Sequence, residues 1–362
     1  MTTSVYIHIP FCEHLCTYCD FCKMFYNEEL CFKYLMALEK EIKDNYRGEA
    51  LKTLYIGGGT PSSLSINNLK KLMEIIKILN LDKDYEFTFE VNPENITQEK
   101  LLLLKENGIN RISMGVESSS IKHLKYLGRL HDFNLVKDKI KLMKEIGFSN
   151  INVDLIYALP KETINDLKKD LDNLLSLDIN HLSTYSLEIH NNTILGIKKE
   201  KNISEELDRK MYEVITNTLE NNGFKHYEIS NFCKDNRYSH HNLVYWHNEE
   251  YYGFGLGASG YVKNIRYDNT RSINSYLNGK YIINKEILSK KDKISYELIL
   301  GFRLINGINK KDFFNKYHED IEKFYNIKEL IDTGYLINDN DYLKVNEKYL
   351  YVENSILENF VD

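Results

Sequence analysis

A chain of 362 residues that is 43% hydrophobic and 28% charged, with only 4 Pro, excludes the disordered, collagen-like and low-complexity classes; its length predicts one barrel-sized domain with a smaller appendage. A formal net charge of -6 argues against a protein built to neutralise nucleic-acid phosphates, so no nucleic-acid partner is expected. No signal-peptide pattern begins at Met1 and no run approaches the roughly 18 apolar residues of a spanning helix, which predicts a cytoplasmic protein whose 6 Cys are thiols and not a disulfide framework.

Short β-rich runs alternate with amphipathic helical stretches, the pattern of βα units and a parallel sheet. The first strand, Ser4 to Ile9, runs into Pro10 and a cysteine segment, after which Leu30, Tyr34, Leu38 and Ile42 recur at helical spacing. The second, Leu51 to Ile56, ends in the turn-forming run Gly57-Gly58-Gly59-Thr60-Pro61, and a helix follows from about Ser65. Tyr85 to Val91, Arg111 to Val116, Asn150 to Tyr157 and His181 to Glu188 read as the next strands, each separated from its neighbour by a helical pattern. Six βα units result, which predicts an α/β fold with an incomplete (β/α)6 TIM-like barrel. After Glu228 the rhythm breaks into a loop-rich stretch in which Gly253, Gly255, Gly257 and Gly260 interleave with aromatic residues, and this is expected to pack on the barrel. From about Lys291 the pattern turns helical, and Gly334 to Asn338 and Tyr342 to Val345 read as two short strands. The boundaries expected are 1–230 for the barrel, 231–285 for the loop-rich segment and 286–362 for a small, mainly helical, winged-helix-like C-terminal domain.

The sharpest chemical signal is Cys12-x3-Cys16-x2-Cys19 in the loop after the first strand. Three thiolates so spaced ligate three irons of a 4Fe-4S cube and leave the fourth iron open. The competing reading is a zinc site completed by Cys22 or His14, which would make the chain a zinc-stabilised interaction protein. The glycine run taken alone is an ordinary tight turn, and Glu90, Arg129 and Asp154 taken singly are solvated charges or ion-pair partners. Their shared position at or beyond the C-terminal ends of predicted strands, where parallel barrels place their sites, argues for function.

The cysteine triplet and its surroundings resemble the radical S-adenosylmethionine (SAM) superfamily, in its coproporphyrinogen III oxidase-like branch. The matching segments are Tyr6-Ile7-His8-Ile9-Pro10-Phe11-Cys12, Tyr18-Cys19-Asp20-Phe21, Tyr55 to Ser62, Glu90-Val91-Asn92-Pro93-Glu94, Leu127-Gly128-Arg129 and Asn152-Val153-Asp154-Leu155-Ile156. Farther on, Tyr227 to Phe232 and His241-Asn242-Leu243-Val244-Tyr245-Trp246 look like the haem-chaperone members of that branch.

The resemblance implies that SAM chelates the open iron through its amino and carboxylate groups and is cleaved by one electron from the cluster. Tyr6 and Tyr18 would flank the cluster and SAM, and Gly58, Gly59 and Thr60 would bring bare backbone against the methionyl amino group. Glu90, Arg129 and Asp154 match further SAM contacts. Glu117 departs from the family's usual Gln, losing an amide donor and adding charge, and Ala158 stands where Gly is common. His241 is the implied haem ligand, with His240 and His247 near enough to substitute and Tyr245 and Trp246 as a flat apolar wall. The oxidase pattern places an extra Cys two positions after the third ligand; here Phe21 stands there and Cys22 follows, and only eleven residues precede Cys12. Both facts favour the haem chaperone over coproporphyrinogen III oxidation in porphyrin biosynthesis. Cys22, Cys31 and Cys233 are then free thiols. The implied partners are haem, a haem-accepting protein and an electron donor such as a flavodoxin or ferredoxin, with peripheral membrane association left open.

Overall fold

The computed structural model describes residues 2–361. Six strands, β1 (Ser4–Ile9), β2 (Leu51–Gly58), β3 (Leu81–Val91), β4 (Arg111–Glu117), β5 (Asn150–Tyr157) and β6 (His181–Ser186), lie side by side in chain order, each pair parallel. β1 and β5 coincide with the predicted strands and the other four differ only at their ends. Tyr252–Phe254 adds a parallel strand outside β1, while Asn231–Cys233 adds a strand antiparallel to β6 and Lys225–Glu228 one antiparallel to that. Among the described residues, nine strands form one open sheet whose edges do not pair with each other, the incomplete barrel expected from the βα count.

Five of the helices between these strands begin where a short polar side chain accepts an orphan backbone N–H. Asn27 caps Glu28–Asn45, Ser65 caps Ile66–Ile76, Thr97 caps Gln98–Glu106, Asp132 caps Phe133–Ile146, and Thr163 with Asp166 forms a capping box on Ile164–Leu175. A cap of this kind contributes about 1 kcal/mol.

The strands alternate strictly, and that alternation positions everything else. Val5, Ile7 and Ile9, then Leu54 and Ile56, Phe87 and Phe89, Ile112 and Met114, and Val153 and Leu155 are fully buried against the helices. Their neighbours on the opposite face, among them Tyr6, His8, Tyr55, Glu90, Ser113 and Asp154, point into the barrel. The interior is therefore polar, and it stays folded because its groups pair with one another. His181 joins Asn152 (Nδ1 to Oδ1, 2.6 Å) to the Tyr227 hydroxyl (2.8 Å), and Asn152 Nδ2 donates to Ser113 Oγ (2.8 Å) and Asp154 Oδ1 (2.7 Å).

The stretch expected to be loop-rich carries more structure than its glycines suggested. It contains the helix His240–Trp246, the strand Tyr252–Phe254 and an antiparallel sheet of Ser259–Val262, Ile265–Asn269 and Ile282–Ile287. Gly253 marks a close approach of two backbones and not a turn, since a Cβ there would sit 1.8 Å from the Ser259 carbonyl oxygen. Glu41, buried in the first helix, ties this region down: it accepts from Gly255 N (2.8 Å), Asn269 Nδ2 (2.6 Å) and the Tyr276 hydroxyl. Burial pushes its carboxyl up to about 7 against these hydrogen bonds.

At the C-terminus, the helix Lys290–Gly301 opens with a Ser289/Asp292 capping box, and Tyr342–Val345 pairs antiparallel with both Ile308–Asn309 and Leu336–Asn338. The two late strands appear where the sequence placed them; the third, only two residues long, did not show in the pattern. Phe302, Phe313, Ile327, Leu343 and Phe360 share a separate core that also takes in Tyr212. Backbone bonds from Ile229 N to Arg303 O (3.1 Å) and Ile305 N to Tyr227 O (3.2 Å) dock this region beside the barrel. Among the described residues, no helix is long and apolar enough to cross a membrane.

Candidate functional site

The cysteine loop spans the C-terminal mouth of the barrel. Met24 N donates to Pro10 O (2.7 Å) and Tyr26 N to Cys12 O (2.8 Å), so the loop leaves and returns along one short ladder. Its far side is held by Thr17, whose N–H donates to Leu127 O (3.0 Å) and whose hydroxyl donates to Tyr126 O (2.8 Å). Cys12, Cys16 and Cys19 all face a cavity of about 1090 Å³ at this mouth. Burial pushes the Cys12 thiol up to about 11 and also raises Cys19, so loading iron must release protons from this loop. The three sulfurs are not all within 4.8 Å of one another, and three thiolates on one loop suit a cube with one iron per thiolate. Cys22 turns away: its neighbours are Gly257 and Arg271, and its carbonyl accepts from His8 Nε2 (2.7 Å). Cys31 and Cys233 are buried, on a helix and a strand respectively.

The glycine run is explained position by position. A Cβ on Gly57 would lie 2.6 Å from the Glu90 carboxylate, one on Gly58 would lie 2.6 Å from the His8 ring, and one on Gly59 would meet Cys12 Sγ at 3.0 Å. Gly58 also has φ +115, a backbone conformation open to glycine. The turn is thus compressed between the Glu90 carboxylate and the first cysteine, with Gly58, Gly59 and Thr60 facing the cavity.

Tyr18, Glu90, Glu117, Arg129 and Asp154 line the same cavity. Glu90 accepts from the Tyr55 hydroxyl (2.7 Å) and Gly58 N (3.0 Å); Glu117 accepts from the Tyr18 hydroxyl (3.1 Å) and lies 3.6 Å from Arg129 Nη2. Arg129 also donates to Asn92 Oδ1 (3.0 Å), to the Gly115 carbonyl and to Cys16 Sγ (3.5 Å). Burial pushes Glu90 and Glu117 up to about 7 and raises Asp154. Buried acids in this state gain from a cation, and SAM carries a sulfonium and an ammonium. Nε of Arg129 is buried without a partner, as is Nε of Arg111, so the pocket also keeps unspent donors for a carboxylate. The residues present therefore fit a 4Fe-4S cluster with SAM beside it. When both are bound, the chemistry they supply is one-electron reduction of the sulfonium; the chain orients the ligand, balances its charge and shields it.

The structure departs from the sequence expectations at several residues. Tyr6 does not line the cavity; its hydroxyl is bonded to His8 Nδ1 (3.0 Å) beneath the glycine turn. Arg111, the first residue of β4, was not singled out and lines the cavity. Asn92, Tyr55 and Asn152 were likewise not singled out, and each faces the cavity. Ala158, also at the rim, has φ +63, which explains why glycine suits that position.

His241 lies at the other end of the barrel. It is 1% exposed, Nδ1 is bonded to Thr53 Oγ1 (2.8 Å) and Nε2 to the Tyr245 hydroxyl (2.8 Å), and Glu86 accepts its backbone N–H (3.0 Å). Burial lowers its imidazole to about 3, so it is neutral. Iron coordination by His241 requires one of those ring bonds to open. A second cavity of about 1000 Å³ borders this helix and is lined by His240, Leu243, Val244 and His247, but not by His241, Tyr245 or Trp246. The flat wall expected of Tyr245 and Trp246 is therefore absent: Tyr245 is spent on His241.

Comparison with known proteins agrees with this geometry. Residues 6–174 match the radical SAM superfamily model and residues 288–349 the HemN C-terminal domain model. The chain is 40% identical to "Heme chaperone HemW" of Lactococcus lactis subsp. lactis, covering 99% of this chain and 97% of that protein. It is 32% identical to the Escherichia coli protein of the same name, covering 99% and 98%. Among solved structures, coproporphyrinogen III oxidase (HemN) of Escherichia coli superposes with a TM-score of 0.87 at 22% identity, covering 99% of this chain and 90% of that one, a likeness of fold. With its cysteine loop, glycine turn and acid-lined mouth in place, the chain belongs to the HemW family of radical SAM proteins.

Proposed function

We propose that the chain is a haem chaperone that holds a 4Fe-4S cluster on Cys12, Cys16 and Cys19, SAM on Tyr18, Gly58, Gly59, Thr60, Glu90, Glu117, Arg129 and Asp154, and haem at the opposite end of the barrel. The observation that carries the haem site is the second cavity: His240 and His247 stand two helical turns apart on its wall, Leu243 and Val244 give apolar surface, and Lys52 and Arg237 stand ready for propionates. The HNxxYW helix connects the two ends, because the His241 ring lies 5.2 Å from the Tyr55 ring and Tyr55 bonds Glu90. Haem is passed to an acceptor protein in the cytoplasm, and reduction of the cluster falls to a flavodoxin or ferredoxin.

The test is haem titration of cluster-loaded protein with His240→Ala, His241→Ala and His247→Ala variants. Wild type is expected to give a shifted Soret band and at least one variant to weaken it. A loss confined to His241→Ala means that the helix opens on binding; a loss at His240 or His247 means that the cavity binds as it stands. An identical spectrum in all four proteins removes the haem site. Anaerobic incubation with SAM, a reductant and coproporphyrinogen III is expected to yield no protoporphyrinogen; substantial yield would replace the chaperone reading with the oxidase.

A further inference from the structure

Outside both cavities, His123, Glu162 and Asp170 converge. One ring nitrogen of His123 and one carboxylate oxygen from each acid lie within 4.8 Å of one another, and the residues are 3%, 2% and 1% exposed. His123 sits on the short helix Ile121–Leu127, Glu162 on the turn after β5, and Asp170 on the helix Ile164–Leu175. Asp170 accepts from Ser118 Oγ (2.6 Å), from Ser119 N (2.9 Å) and from the Ser119 hydroxyl, and Glu162 Oε2 accepts from Leu159 N (2.9 Å), all neutral donors. Among the described residues, both ring nitrogens of His123 and Oε1 of Glu162 have no hydrogen-bond partner. Folded proteins seldom leave such atoms buried and unpaired. Here the unpaired imidazole adjoins two carboxylates whose partners carry no charge, so the group lacks a cation.

We propose that His123, Glu162 and Asp170 bind a divalent transition-metal ion of the zinc class, through one imidazole nitrogen and two carboxylate oxygens. Nitrogen and oxygen donors without thiolate suit Zn²⁺ or Mn²⁺. With bonds near 2.1 Å, a tetrahedral ion needs donors about 3.4 Å apart, which side-chain adjustment reaches from the separation observed. The ion ties the segment after β4 to the turn after β5 and to the helix behind it. That segment matters to the first site: Tyr126 and Leu127 supply the carbonyls that hold Thr17 of the cysteine loop, and Arg129 follows directly. The site is a brace for the cluster loop, fixed from outside the barrel.

Cluster-loaded protein is equilibrated with Zn²⁺ and desalted; iron and zinc are counted and Tm is read. Wild type is expected to keep one zinc per chain beyond the cluster iron and to melt at a higher temperature with it. Glu162→Gln retains an acceptor for Leu159 N and is expected to weaken zinc binding at least about tenfold, the loss that even an outer-shell partner produces, with its iron count unchanged. His123→Asn should do the same, and if that variant does not fold, Glu162→Gln decides alone. A wild type that keeps no zinc and does not shift in Tm, or zinc retained equally by Glu162→Gln, overturns the proposal. Because iron is counted separately, failure of the brace and failure of the cluster assignment read differently.

Discussion

The two ends of the barrel are built from the same strands and from the same inward-facing polar positions, yet they are finished differently. At the N-terminal end, His181 and His241 each use both ring nitrogens, on Asn152 and Tyr227 in one case and on Thr53 and Tyr245 in the other. At the C-terminal mouth, Arg129 keeps a buried Nε without a partner, and burial raises Glu90, Glu117 and Asp154. A completed hydrogen-bond network fixes a fold, while an incomplete one next to a cavity awaits a ligand. The difference separates two kinds of buried polar residue that look alike in a strand pattern.

That contrast can be broken experimentally, and the largest effect belongs to the cysteine loop. Cys16→Ser is expected to abolish the visible absorbance of the cluster with the fold intact by circular dichroism; a full iron and sulfide count in this variant would refute the ligand set. Next is Arg129→Met, which removes the countercharge of Glu117 and the free Nε. SAM affinity measured by calorimetry should fall at least about 100-fold, or about 2.7 kcal/mol. His181→Leu acts at the finished end. It withdraws a partner from both Asn152 and Tyr227 and should cost about 2 kcal/mol in denaturant unfolding, with SAM affinity unchanged. If His181→Leu weakened SAM as much as Arg129→Met, the distinction between the ends would fail.

The pH dependence sharpens the same point with a smaller effect. Glu90 and Glu117 titrate about 7 in the folded chain, against 4.5 when unperturbed. Between those values the folded chain holds protons that the unfolded chain has released, so the stability of the ligand-free protein falls as pH rises through this window and levels above it. Binding of cationic SAM favours the ionised acids, so its affinity should rise from pH 6 to pH 8. Glu117→Gln should flatten both trends. The smallest effect is expected at Ala158→Gly, which relieves a positive φ and should stabilise the chain by up to about 1 kcal/mol.

Much of the mouth was legible in the sequence because its requirements are local. The C-x3-C-x2-C spacing sits within one loop, the Gly57 to Gly59 run within one turn, and Glu90 and Asp154 near the ends of strands whose alternation is visible. Tyr6 and His8 share the inward face of β1, and only the fold shows that the Tyr6 hydroxyl is bonded to the His8 ring. The stretch after Glu228 misled because Gly253 and Gly255 signal turns in a sequence, whereas here they admit a neighbouring backbone. His123, Glu162 and Asp170 carried no signal at all, being spread over 48 positions and joined by three elements.

The sequence by itself determined the six βα units, the cysteine spacing and the glycine turn, because periodicity, spacing and backbone freedom are properties of near neighbours along the chain. Only the tertiary structure decided which polar groups are already paired and which stand open. Pairing depends on partners such as Thr53 and His241, 188 positions apart, and no local pattern encodes the meeting of side chains that the fold alone brings together.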